Sequence, residues 1–162
     1  MTTENSLIDS ALRGWKFNVE RAEELFGGLS REQLEREVAP GKNRLIYLWG
    51  HLAAVNDRLL PLLGIGERLH PEFDGMFISN PDKSVPLSVS ERSLKTAWQE
   101  INKKLWEGFS KFSNSDWAQR HTAVSEKDFE REPHRNRFGV LLGRTAHLAY
   151  HLGQAALARP KP

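Results

Sequence analysis

An all-α fold is predicted by three features of the chain. Four long segments carry apolar residues at three-and-four spacing, the pattern of a helix that buries one stripe. Capping boxes and glycine or proline stops bracket those segments. No alternating run is strong enough to mark a strand, and no internal repeat divides the 162 residues. That length suits a single domain over residues 1–162 with a core of its own.

The first helix is predicted from about Ser6 to Phe26, with Ile8, Ala11, Leu12, Trp15, Val19, Ala22 and Phe26 on one stripe. Gly27-Gly28 stops it, because glycine accepts the left-handed conformation that ends helices. Ser30-Arg31-Glu32-Gln33 opens a short helix that Pro40-Gly41 closes. A second long helix is predicted from Asn43 as N-cap to about Leu63, with Gly64 as its stop and Pro61 kinking or shortening its last turn. Its core face is Leu45, Leu48, Trp49, Leu52, Val55, Leu59 and Leu63, and His51 sits at the border of that face.

From Ile65 to Val89 the composition turns to Gly, Pro, Asp, Asn and Ser, which reads as a long connection. Ser88-Val89-Ser90-Glu91 reads as a capping box for a third helix that runs to about Phe112, striped by Leu94, Trp98, Ile101, Leu105, Phe109 and Phe112. Residues 114–136 read as a second irregular stretch. A fourth helix is predicted from Asn136 or Arg137 to about Ala158, before Pro160. Its apolar positions wrap more than half the circumference, from which deep burial is expected. The tryptophans are expected in the core. Antiparallel neighbours seldom need a connection as long as the one between helices 2 and 3. Those two helices are therefore expected to run the same way, in a four-helix bundle of up-down-down-up topology.

Composition narrows the chemistry. The absence of cysteine excludes disulfides, thiolate metal sites and cysteine nucleophiles, so a metal must be held by nitrogen and oxygen. The net charge of +2 is spread without a basic stripe, and no nucleic-acid partner is expected. The most apolar run near a turn, Leu59-Leu60-Pro61-Leu62-Leu63-Gly64-Ile65, is too short to span a bilayer, and the N-terminus lacks a signal-peptide pattern, so a cytoplasmic protein is expected. No phosphate-binding glycine loop and no His-Glu-x-x-His arrangement is present.

The remaining signal is histidine. His147 and His151 are four apart and so neighbours on one helical face. If helices 2 and 4 are antiparallel, a rise of 1.5 Å per residue puts His51 about 12 Å, and the pair about 10 and 16 Å, from the same end. The three are level, and three imidazoles on one ion leave a position open, as catalytic zinc sites do. The plainer reading is a set of hydrogen-bonded core histidines. Arg144 shares the face of the pair, either to clamp an anionic group or as a surface arginine paired with a carboxylate. His70, His121 and His134 read as solvated loop residues, with a fourth ligand that closes the site as the alternative for His70, and Asp57 also reads as solvated.

Gly50-His51-Leu52-Ala53-Ala54-Val55-Asn56-Asp57-Arg58-Leu59-Leu60 resembles the second-helix motif of the DinB-like (DinB/YfiT-like) superfamily. Ala146-His147-Leu148-Ala149-Tyr150-His151-Leu152-Gly153-Gln154 resembles its closing H-x-x-x-H-x-G-Q motif. The resemblance spans essentially the whole chain. It implies an up-down-down-up four-helix bundle, often dimeric, in which one histidine of helix 2 and two of helix 4 bind a divalent metal such as nickel or zinc. Relatives include S-transferases and isomerases that use low-molecular-weight thiols. For the dimer, Trp106 beside the helix 3 stripe is a candidate surface residue. Two functions follow as expectations: a metal centre that activates a thiol or water against a small electrophile, or a non-catalytic metal-binding stress or interaction protein.

Overall fold

The computed structural model describes residues 3–158. The chain is mostly helical, and no strand occurs among these residues beyond two isolated bridges, Glu37 with Arg44 and Arg120 with Asn136. The helices are α1 (Thr3–Gly27), α2 (Arg31–Leu34), α3 (Leu45–Asp57), α4 (Leu59–Leu62), α5 (Phe73–Phe77), α6 (Glu91–Phe109), α7 (Asn114–Ala118), α8 (Glu126–Arg131) and α9 (Arg137–Ala158). Four of them are long: α1, α3, α6 and α9. Among the described residues no helix is long and apolar enough to cross a membrane. Pro160, expected just past the last helix, lies outside the described residues.

Side-chain contacts fix how the long helices run. Phe26 near the end of α1 stacks on Trp49 near the start of α3, with ring centroids 5.7 Å apart. Arg31, just after α1, faces Glu91 at the start of α6, while Trp15, earlier in α1, stacks on Trp106 late in α6 at 6.3 Å. Thus α3 and α6 both begin beside the end of α1 and run back along it. Leu7 and Ile8 share a cavity wall with Phe138, and Leu48 shares another with Gln154. So α9 runs with α1 and against α3.

Every residue of α3 is buried except His51. An all-round apolar helix belongs at the centre of a fold, and α3 is packed by α1, α6, α9 and α5. Its one side chain that is not buried is a histidine.

The expected helix from Asn43 to Leu63 needs three corrections. Its N-cap is Arg44, whose side chain caps nothing. Asp82 accepts the Arg44 backbone N–H at 2.7 Å instead, a carboxylate placed from the far end of the 65–89 connection. The helical path is also interrupted at Arg58 between α3 and α4. Pro61 has no N–H to offer the Asp57 carbonyl four residues back, which is a sufficient cause for the break. Gly64, at φ +71°, ends the path as expected.

The third correction concerns Asp57, which is fully buried, not solvated. Its carboxylate accepts from Arg68 Nε at 2.9 Å, Leu69 N at 2.8 Å and His70 N at 3.0 Å. These bonds begin a strap. Asp57 holds Arg68, Arg58 holds Asp74, His51 holds Phe77, Tyr47 holds Asn80 and Arg44 holds Asp82. The connection therefore runs back along α3 one contact at a time, with α5 folded into it and Phe73 and Phe77 in the core.

Other boundaries differ in smaller ways. The N-cap of α6 is Ser90 bonding Ser93 N, not Ser88, and α6 ends at Phe109. The stretch 114–136 contains α7 and α8, each opened by a serine N-cap. On α9 only Leu141, Leu148, Leu152 and Ala155 are buried, so the expected deep burial does not hold within one chain. Four tryptophans are core; Trp106 is the partly exposed fifth.

Candidate metal centre

The site begins with Gly50. A Cβ there would stand 2.3 Å from Phe77 Cε1, so only glycine lets the Phe77 ring lie against α3. With Phe77 seated, its carbonyl accepts the His51 Nδ1 hydrogen at 2.9 Å. A carbonyl can only accept, so neutral His51 carries its proton on Nδ1 and presents a lone pair at Nε2. His151 is held the same way by its own helix. Its Nδ1 donates to Gln154 Oε1, three residues on, at 2.8 Å, again leaving Nε2 free.

Both lone pairs point at His147. Nε2 of His51 and Nε2 of His151 lie 3.3 and 3.2 Å from His147 Nε2. His147 Nε2 has at most one hydrogen and can satisfy only one of them. A cation would satisfy all three. Two nitrogens on one tetrahedral zinc, each at roughly 2.0–2.1 Å, stand about 3.3 Å apart, the separation found along both edges. His51, His147 and His151 form a group that could hold a metal ion, with ligand atoms all within 4.8 Å of one another. The Nδ1 contacts to Phe77 and Gln154 are the outer partners that metal-ligating histidines ordinarily have.

Electrostatics keeps the donors ready. All three imidazoles are half-buried, and burial is the largest influence pushing each pKa below the ordinary value. His147, in the middle, falls to about 4, with His151, His51 and Arg144 adding their repulsion. Neutral imidazole is the form that binds metal.

Arg144 is half-buried beside this cluster, and its charge bears on both His51 and His147. Among the described residues no carboxylate pairs with it. That removes the reading of a surface arginine in an ion pair. His70 does not join the cluster. Its Nδ1 contacts Glu72 at 3.0 Å, its Nε2 faces Glu100 at 3.6 Å and its ring stacks on Phe73. His134 is exposed, and His121 is partly buried in the loop after α7.

Sequence reasoning brought the three histidines together correctly. It assigned no role to Gln154, although i,i+3 spacing from His151 was signal enough. The Phe77 carbonyl carried no signal, since a backbone acceptor has no residue type. No protein-family model matches the chain, and a search of curated proteins finds no match.

Proposed function

We propose that this protein is a divalent-metal-dependent enzyme of the DinB-like type, with nickel or zinc held by His51, His147 and His151. The observation that carries the reading is the convergence of three ring nitrogens, with His147 Nε2 at 3.3 and 3.2 Å from those of His51 and His151 and two Nδ1 atoms already committed elsewhere. A metal there would lower the pKa of a thiol or water and so supply a nucleophile at neutral pH.

The chain's own residues do the rest. The Phe77 carbonyl and Gln154 orient two of the rings. Arg144 positions an anionic group of the incoming small molecule beside the cluster. That the three imidazoles are only half-buried supports access from solvent. His70, engaged with Glu72 and Phe73, leaves the remaining coordination position to a low-molecular-weight thiol, water or substrate. The pairing of the long helices supports a four-helix bundle of up-down-down-up topology. We place the protein in the cytoplasm as a homodimer.

The test is metal analysis of freshly purified protein, followed by nickel and zinc titrations of wild type and His147→Ala. Stoichiometric binding abolished by the substitution is expected. Thiol consumption with a small electrophile, lost in the same variant, separates the enzyme from a non-catalytic metal protein. Metal binding without any turnover would favour the latter.

A further inference from the structure

Gln154 touches more than His151. Its Oε1 accepts the His151 Nδ1 hydrogen at 2.8 Å, and the residue also lines a cavity of about 320 Å³ between the 38–43 turn, the start of α3 and the end of α9. That volume is at the lower end for small-molecule sites. Ala39, Leu48 and Leu157 give the cavity apolar walls, and Lys42 and Asn43 stand with Gln154 as its polar groups. The turn is fixed by Lys42 N–H donating to Ala39 O at 2.9 Å and Val38 N–H donating to Asn43 O at 3.0 Å.

These polar groups have unspent donors. Lys42 makes no ion pair among the described residues. The side-chain NH2 groups of Asn43 and Gln154 donate to no described residue. No Asp or Glu among the described residues lines the cavity. One positive charge and two amides beside apolar walls match one carboxylate on a short hydrocarbon body. The Gln154 amide matters for a second reason. As it stands, Oε1 faces His151 and keeps the ring proton on Nδ1. Turned half a revolution, its NH2 would face Nδ1, the ring proton would move to Nε2, and the lone pair aimed at His147 would be lost. A carboxylate can only accept, so one bonded to the Gln154 NH2 holds the amide the first way.

We propose that this cavity binds a small monocarboxylate with an apolar tail, held by Lys42, Asn43 and Gln154, and that its binding steadies His151 as a donor at the histidine cluster. The coupling rests on the reading of the cluster as a metal centre; the cavity site itself does not. The carboxylate, the Gln154 amide and His151 then form one chain of hydrogen bonds that ends at the ion. A partner behind a ligating histidine fixes its tautomer and ring orientation in this way. Coupling is reciprocal, so the acid and the metal each tighten the other by the same factor. Metal loading thus responds to a small organic acid that never touches the metal.

Calorimetric titration of the full chain stripped of metal, near neutral pH, tests the cavity with three probes. Hexanoate carries the acid and the tail, acetate the acid alone, and hexylammonium the tail with the opposite charge. Hexanoate is expected to bind at least about tenfold tighter than either, because four more methylenes leave water and Lys42 repels the ammonium. Lys42→Gln is expected to weaken hexanoate about tenfold. Ala39→Trp, which fills the cavity from an exposed position, is expected to abolish its binding. Nickel titrated alone is expected to bind both variants as it binds wild type. With hexanoate saturating, nickel is expected to bind wild type about 5–50-fold tighter, and Gln154→Ala and Ala39→Trp no tighter than without it. No hexanoate binding, binding no tighter than acetate or hexylammonium, or undiminished binding in Lys42→Gln overturns the proposal. A nickel affinity that hexanoate leaves unchanged in wild type overturns the coupling. So does one that hexanoate tightens equally in Ala39→Trp, because the acid would then act at the ion itself. Hexanoate binding by a chain that takes up no nickel upholds the cavity site and overturns the metal centre.

Discussion

At the scale of single residues, the histidine cluster depends on where each proton sits. His51 and His151 spend their Nδ1 hydrogens on Phe77 O and Gln154 Oε1, so the inward Nε2 of each is an acceptor. Removing an outer partner loosens the ring it holds. Gln154→Ala is expected to lower nickel or zinc affinity by about 10–100-fold without unfolding the chain, the usual effect of losing such a partner. Calorimetric titration checks it, and unchanged affinity would count against the cluster as a metal centre. Acid acts on the same atoms. The folded chain depresses the three histidine pKa values below the roughly 6.5 of an unfolded histidine. Below that pH the unfolded chain binds more protons than the folded one, so stability present in full above about 6.5 is lost as pH falls towards 4. Thermal melts of metal-free protein are expected to show that decline. It should be smaller in His147→Gln, because His147 has the strongest depression.

At the scale of elements, the strap along α3 does the positioning. Gly50→Ala drives a Cβ into the Phe77 ring and is expected to cost about 1–3 kcal/mol as an overpacked core contact. It should also weaken metal binding, since Phe77 cannot move without its carbonyl leaving His51. Asp57→Ala leaves two backbone N–H groups and part of Arg68 without their acceptor, at an expected cost of about 3 kcal/mol. Denaturant unfolding measures both. The strap also marks the limit of what the sequence disclosed. Helical stripes, the capping box at Ser30 and the stop at Gly64 were legible because they are local. The histidine triad was legible because i,i+4 spacing and helix level are simple geometry. Residues 65–89 read as a loop because Gly, Pro and Ser dominate them, and α5 is only five residues long. Asp57 read as solvated because its partners, Arg68 and two backbone amides, lie 11 to 13 residues away. Polar burial of that kind is a tertiary fact. The cap at Arg44 failed for the same reason: its acceptor, Asp82, is 38 residues distant.

At the scale of the whole molecule, α9 carries an exposed apolar stripe on which the expected homodimer is tested. Leu142, Tyr150 and Leu157 are eight and seven residues apart, so they share a stripe, and Tyr150 and Leu157 are 64% and 88% exposed. Ala146, Ala149 and Gly153 lie between them, all exposed and all small. The stripe contains no Asp, Glu, Lys or Arg. On α1, which packs beside α9, Leu7 and Phe17 are likewise exposed. Trp106, expected as a candidate surface residue, is partly exposed, with Trp15 stacked on one side and Lys16 over its ring. One half of the wide apolar face of α9 is core, and the other half is exposed. A second copy docking α9 against α9 about a twofold axis would meet the same stripe, and small residues at its middle let two helices approach closely. Such a dimer must bury on the order of 1,200–2,000 Å² in total to be stable. Sedimentation at micromolar concentration is expected to give twice the chain mass, and Leu157→Glu with Leu142→Glu, which leaves Tyr150 against the His151 ring, is expected to return a folded monomer. Because His147 and His151 face α3 from the other side of α9, that monomer should still bind one metal ion per chain. A wild-type monomer at those concentrations would refute the dimer and leave the metal centre standing.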